Sequence, residues 1–168
     1  MQNNPEIEQI VDAAVKIARN RQHEYVLTEH VLLAMIRHEP FRKVMVKYGT
    51  QVDLFEQELD AYLNSLASLV STADVQPKKT NALERCFNRA LTQVLFTGRR
   101  TVTLVDLYLA MMSENNSHAH YFLLKYGVKK AEFVEFYTKN YSQSDVVYTD
   151  QRSEEHTSEL QSRETISY

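Results

Sequence analysis

Val26-Leu-Thr-Glu-His-Val-Leu-Leu-Ala-Met-Ile-Arg-His-Glu-Pro-Phe-Arg-Lys-Val-Met-Val-Lys-Tyr-Gly49 reads as two helices and a stop, and its outline returns 76 to 78 positions later. Thr28 is a good N-cap, with Glu29 set against the positive end of the helix dipole. Val31, Leu32, Met35 and Ile36 then recur at helical spacing. Pro40 starts a short helix through Val44 and Tyr48, and Gly49 supplies the left-handed residue past its end. Val26 with Leu33-Ala34-Met35 is matched by Val102 with Leu109-Ala110-Met111, and Ala14 by Ala90, at an offset of 76. Lys47-Tyr48-Gly49 is matched by Lys125-Tyr126-Gly127 at 78, the two extra residues falling in Asn115-Asn116-Ser117. Amphipathic segments share Leu and Ala by chance. The ordered recurrence of helix, cap, helix, Lys-Tyr-Gly, helix favours a duplicated four-helix unit.

The flanking sequence completes both copies. Asn4-Pro5-Glu6 is a helix start, followed by the apolar face Ile7, Ile10, Val11, Ala14, Ile17 and Ala18. Thr50-x-x-Asp53 starts a fourth helix with Leu54, Phe55, Leu59, Tyr62 and Leu66 inward. Residues 70–79 have little apolar content and no period, as in a linker. Thr80 or Asn81 caps a fifth helix with Leu83, Phe87, Ala90, Leu91, Val94 and Leu95 inward. Further helices are expected over 103–113, 118–126 and 130–140. The class is all-α: eight helices in one pseudo-twofold domain at 1–141, with repeat one at about 5–69 and repeat two at about 80–141.

Composition narrows the function. The chain has 168 residues, 43% apolar and 24% charged, enough for a core without disulfides or metal. Its 19 Lys+Arg against 22 Asp+Glu leave no basic excess for nucleic acid. Gly49, Gly98 and Gly127 are isolated, so neither GxxxxGK[ST] nor GxGxxG can be written. One cysteine, Cys86, a start without a basic or apolar leader, and no run near the roughly 18 apolar residues of a membrane span point to a soluble, cytoplasmic protein, and the isolated domain is expected to be monomeric.

The stretch Arg21-Gln-His-Glu-Tyr-Val-Leu-Thr-Glu-His-Val-Leu-Leu-Ala-Met-Ile36 resembles the (H/Y)-x-(Y/F)-x-x-x-E-H-L-L-L-A-L-L segment of the Clp ATPase chaperones, whose N-terminal domain carries two Clp-N repeats. Thr80 and Arg85-Cys-Phe-Asn-Arg-Ala90 fit the second repeat. Val52-Asp53-Leu54, Glu58-Leu59, Gln76-Pro77 and Leu123-Leu124-Lys125-Tyr126 are most similar to the ClpA branch, the unfoldases of the ClpAP protease. The resemblance runs from about residue 6 to 140 and does not include the ATPase modules. It implies a non-catalytic domain that binds the ClpS adaptor, which presents substrates with destabilising N-terminal residues. ClpP would be engaged only through the missing ATPase modules. Carried over, the adaptor positions are Glu24, Glu29 and Thr80, with both carboxylates expected to be exposed. A stand-alone Clp-N protein that modulates a Clp protease is the alternative.

After Tyr141 the character changes. Residues 142–151 read as a linker, and 152–168 hold too few apolar groups to offset ordering entropy. Arg152-Ser-Glu-Glu-His-Thr-Ser-Glu-Leu-Gln-Ser162 resembles the translation of a sequencing adapter, which implies a truncated gene; a natural charged linker is the alternative.

Other candidate chemistry is weaker. His23, Glu24, Glu29 and His30 bracket one turn, but His-Glu-x4-Glu-His is not the HExxH pattern, so no metal is assigned. His118-x-His120 carries still less. Cys86 beside Phe87 reads as a small helical filler rather than a nucleophile. The tyrosines and Met35, Met111 and Met112 read as core, and no cofactor is implied.

Overall fold

The computed structural model describes residues 2–71 and 76–141; the expected linker at 142–151, the tail at 152–168 and the middle of the 70–79 segment lie outside them. The elements run β1 (Gln2–Asn3), α1 (Pro5–Asn20), β2 (Tyr25–Val26), α2 (Thr28–Arg37), α3 (Glu39–Tyr48), α4 (Val52–Asn64), a 3-10 turn (Ala67–Leu69), β3 (Lys78–Lys79), α5 (Asn81–Phe96), β4 (Thr101–Val102), α6 (Leu104–Met111), α7 (His118–Lys125) and α8 (Lys130–Tyr141). The class is all-α, with eight α-helices among the described residues and four strands of two residues each.

Helices α1 and α5 are both 16 residues long and stand 76 positions apart, each started by a side-chain cap. Asn4 Oδ1 accepts from Glu6 N at 2.8 Å, and Thr80 Oγ1 from Leu83 N at 3.2 Å. Both helices end on polar or glycine turns, and Gly49 and Gly127 end α3 and α7 at positive φ, as their place in the Lys-Tyr-Gly repeat demands.

The central helices are more deeply buried than a one-faced pattern suggests. Every residue from Thr28 to Ile36 in α2 and from Leu104 to Met111 in α6 is buried. A helix buried on all sides belongs at the centre: α1, α3 and α4 pack on α2, and α5 packs on α6. The halves lock through reciprocal aromatic contacts. Tyr48 of repeat one meets Phe133 at 5.2 Å between centroids, and the equivalent Tyr126 stacks on Phe55 at 4.6 Å.

The strands are also exchanged between halves. Tyr25–Val26 pairs in parallel with Lys78–Lys79, and Gln2–Asn3 with Thr101–Val102. Shifting the first pairing by 76 positions generates the second, so the repeat relation holds for the strands too.

Several local expectations are corrected. Thr28 is the first helical residue of α2 rather than its cap, because Leu27 takes that place. Thr50 does not start α4: its N–H donates to Met45 O at 3.0 Å and finishes the turn after α3, and α4 begins at Val52. Leu54 and Leu95, expected inward, are 46% and 59% exposed. The 70–79 segment ends in β3, because its backbone fills the edge beside β2. Cys86 is buried, and that burial pushes its thiol up to about 11, so it is protonated at neutral pH.

Candidate functional site

The turn after α1 carries four polar side chains that separate into different tasks. Leu27 N–H donates to His30 Nδ1 at 2.8 Å, which leaves the proton of neutral His30 on Nε2. That Nε2 donates to His23 Nδ1 at 2.9 Å. Both rings are buried. Burial lowers the pKa of each, that of His30 to about 3, with Arg21 acting in the same direction on both and the His23 ring adding to it at His30. The pair is therefore a neutral cap for α2. Among the described residues, no three His, Cys, Asp or Glu side chains converge as a metal site would need.

Glu29 overturns the expectation of an exposed carboxylate. It is 5% exposed, and its Oε2 accepts from Ala119 N at 2.7 Å in the first turn of α7. An acid at a helix start is usually solvated, but here the start of another helix consumes it. Glu29 therefore ties repeat one to repeat two.

Glu24 is exposed, next to exposed Tyr25 at the start of β2. The β2–β3 pairing brings Glu24 and Thr80 onto one edge: Lys78 N donates to Glu24 O at 2.9 Å, and Thr80 N to Val26 O at 3.2 Å. Thr80 Oγ1 is occupied as the cap of α5, so what it offers a partner is its partly exposed surface. Of the three positions expected to meet an adaptor, Glu24 and Thr80 thus share one edge, and Glu29 lies beneath the surface.

Beside this edge, α1 and α5 enclose a groove of about 650 Å³. Its apolar lining comes from Ile7, Val11, Phe87, Leu91 and Val102, and its polar rim from Glu8, Asp12, Lys79, Glu84 and Asn88. The walls obey the repeat: Glu8 and Glu84, Val11 and Phe87, Asp12 and Asn88 are equivalent positions 76 apart. Lys79 Nζ lies 5.9 Å from the Phe87 ring centroid, a cation over the aromatic floor. Sequence reasoning counted Val11, Phe87 and Leu91 as core; they are half-buried because both helices turn these flanks to the groove.

Residues 3–126 match the family described as the Clp repeat (R) N-terminal domain. The chain belongs to that family. The eight-helix architecture above is shared by solved N-terminal domains of Clp-type proteins. A ClpA homolog protein from Fuscovulum blasticum is 30% identical over 132 residues, which cover 77% of this chain and 17% of the relative. The chain thus spans about a sixth of that relative's length. Among solved structures, the Hsp104 N-terminal domain from Candida albicans superposes with a TM-score of 0.71 at 14% identity, covering 85% of this chain and 94% of that one. A complex of the ClpV N-domain with a VipB peptide reaches 0.63 at 19% identity, covering 88% and 90%. Among the described residues of this Clp N-domain, no helix is long and apolar enough to cross a membrane.

Proposed function

We propose that this Clp N-domain is the docking module of a ClpA-type unfoldase of the Clp protease, without catalytic chemistry of its own, and that it takes the ClpS adaptor on the edge formed by β2 and β3. The observation that carries the reading is the strand pairing that sets exposed Glu24 beside Thr80. The ClpA homolog among its relatives supports the choice of branch. Glu24 offers a carboxylate to a basic adaptor side chain, and the main chain near Thr80 offers hydrogen bonds. Glu29 contributes by anchoring the start of α2 to α7, not by touching the partner. ClpP would be reached through ATPase modules of the parent protein.

Calorimetric titration with ClpS tests the reading. Glu24→Lys should weaken binding and reduce its salt dependence while the thermal melt stays in place. Unchanged affinity in a folded variant removes Glu24 from the interface, and no binding by the wild-type chain removes ClpS.

A second reading concerns the groove. Its apolar floor and polar rim suit a peptide from a protein substrate or partner, and the ClpV N-domain complex with a VipB peptide supports a peptide seat in this fold. Both surfaces serve one module, since Lys79 of the groove is adjacent to Thr80 of the edge.

A further inference from the structure

We propose that the groove between α1 and α5 selects a segment of another protein in which a short apolar run is flanked on both sides by lysine or arginine. The inference rests on the reading of the groove as a peptide seat and adds its sequence preference. Glu8 and Glu84 occupy equivalent places on the two helices, so a carboxylate stands on either wall of an apolar floor. Asp12 stands one helical turn beyond Glu8 on the same wall. No described residue forms an ion pair with Glu8, Asp12 or Glu84.

Elsewhere in this molecule several carboxylates are matched by arginines of the same chain. Glu56 is held by Arg37 and Arg42, Glu114 by Arg85 and Arg89, and Asp106 by Arg99. Glu8 and Asp12 are like charges four residues apart on one helix, an unfavourable arrangement that a cation would relieve. A purely apolar segment would strip water from three carboxylates and return nothing for it. An acidic flank would be repelled at both walls. Basic flanks satisfy the carboxylates while the apolar run covers Val11, Phe87 and Leu91. The walls are unequal, because Lys79 sits beside Phe87 on the α5 side while the α1 side has two acids. The more basic flank therefore belongs against α1.

Fluorescence anisotropy on the full chain tests this with three dye-labelled peptides. All share a Leu-Phe-Leu-Ala core, flanked by Lys-Arg, by Ser-Ser or by Glu-Glu. The basic peptide should bind about tenfold tighter than the serine one at low salt, with the acidic one weakest, and the spread should shrink at high salt. The triple variant Glu8→Gln, Asp12→Asn, Glu84→Gln should bring the three within about twofold while leaving the serine peptide unchanged. All three positions are exposed, so the fold should survive, and a thermal melt verifies it. Asn88→Trp, at an exposed lining position, should weaken all three peptides by filling the groove. Equal affinities that Asn88→Trp abolishes would overturn the charge preference and keep the seat. No binding, or binding indifferent to Asn88→Trp, would overturn the seat itself.

Discussion

At the start of α2 the Leu27 N–H donates to a histidine nitrogen at 2.8 Å, and at the start of α6 the Thr103 N–H donates to Asp106 Oδ2 at 2.8 Å. The receiving side chains, His30 and Asp106, stand 76 positions apart, and so do the groups that hold them, His23 and Arg99. Repeat one uses a neutral ring pair at 2.9 Å; repeat two uses a guanidinium fork on a carboxylate at 2.6 and 3.0 Å. Thr103 Oγ1 also accepts from Asp106 N at 3.3 Å, completing a capping box that the apolar Leu27 side chain cannot supply. One geometric task has thus been met with opposite electrostatics. A buried charged pair punishes the loss of one partner, whereas a buried neutral pair punishes protonation.

The largest expected effect tests the charged side. Asp106→Ala leaves Arg99, whose side chain is 8% exposed, without its carboxylate and should cost about 3–5 kcal/mol in urea unfolding. His30→Ala removes only neutral hydrogen bonds and should cost about 1–3 kcal/mol. Equal losses would break the comparison.

Acid should act on the neutral side. Both histidines have lowered folded values, so below pH 6.5 the unfolded chain takes up protons that the native pair refuses. Stability should fall as pH drops from 6.5 towards 3, by up to about 1.4 kcal/mol per pH unit for each histidine that stays neutral. Glu56 and Glu114, held low by their arginines despite the opposing cost of burial, add a loss of the same sign at lower pH. Hydrogen exchange should show the Leu27 amide losing protection first. The double exchange His23→Arg with His30→Asp should flatten the limb between pH 6.5 and 5; an unchanged limb would assign it to other groups.

Glu29 sharpens the contrast, because its equivalent in repeat two is the apolar Val105. Glu29→Ala should cost about 1–3 kcal/mol by orphaning the Ala119 N–H, while Glu24→Ala should stay within about 0.5 kcal/mol in the same thermal melts. The smallest effects should be matched ones: Thr80→Ala and Asn4→Ala each remove a cap at equivalent positions, and each should cost about 1 kcal/mol.

The helices and the duplication were legible because burial imposes a helical period on Ile7, Ile10, Ala14 and Ile17, and again on Leu83, Ala90 and Val94. The cap of α2 was not. Its acceptor is a histidine inside the helix, and Thr28 beside it has the stronger local preference. Glu29 misled for a related reason, since its partner lies 90 residues away on an element whose packing no local pattern announces. The groove left a signal that went unread: Glu8 and Glu84 obey the same offset as the core positions, although solvent-facing residues have no packing reason to repeat.

The exchanged strands bear on how the chain is made. Gln2–Asn3 has its partner at Thr101–Val102, so it cannot pair until most of repeat two's first half has been made. Repeat one cannot close its own edge, because Tyr25–Val26 waits for Lys78–Lys79. During synthesis the early half must persist with unpaired backbone, which is the condition under which two nascent chains trade halves. Within the chain, that pairing is supplied by Lys78–Lys79, immediately before the cap of α5.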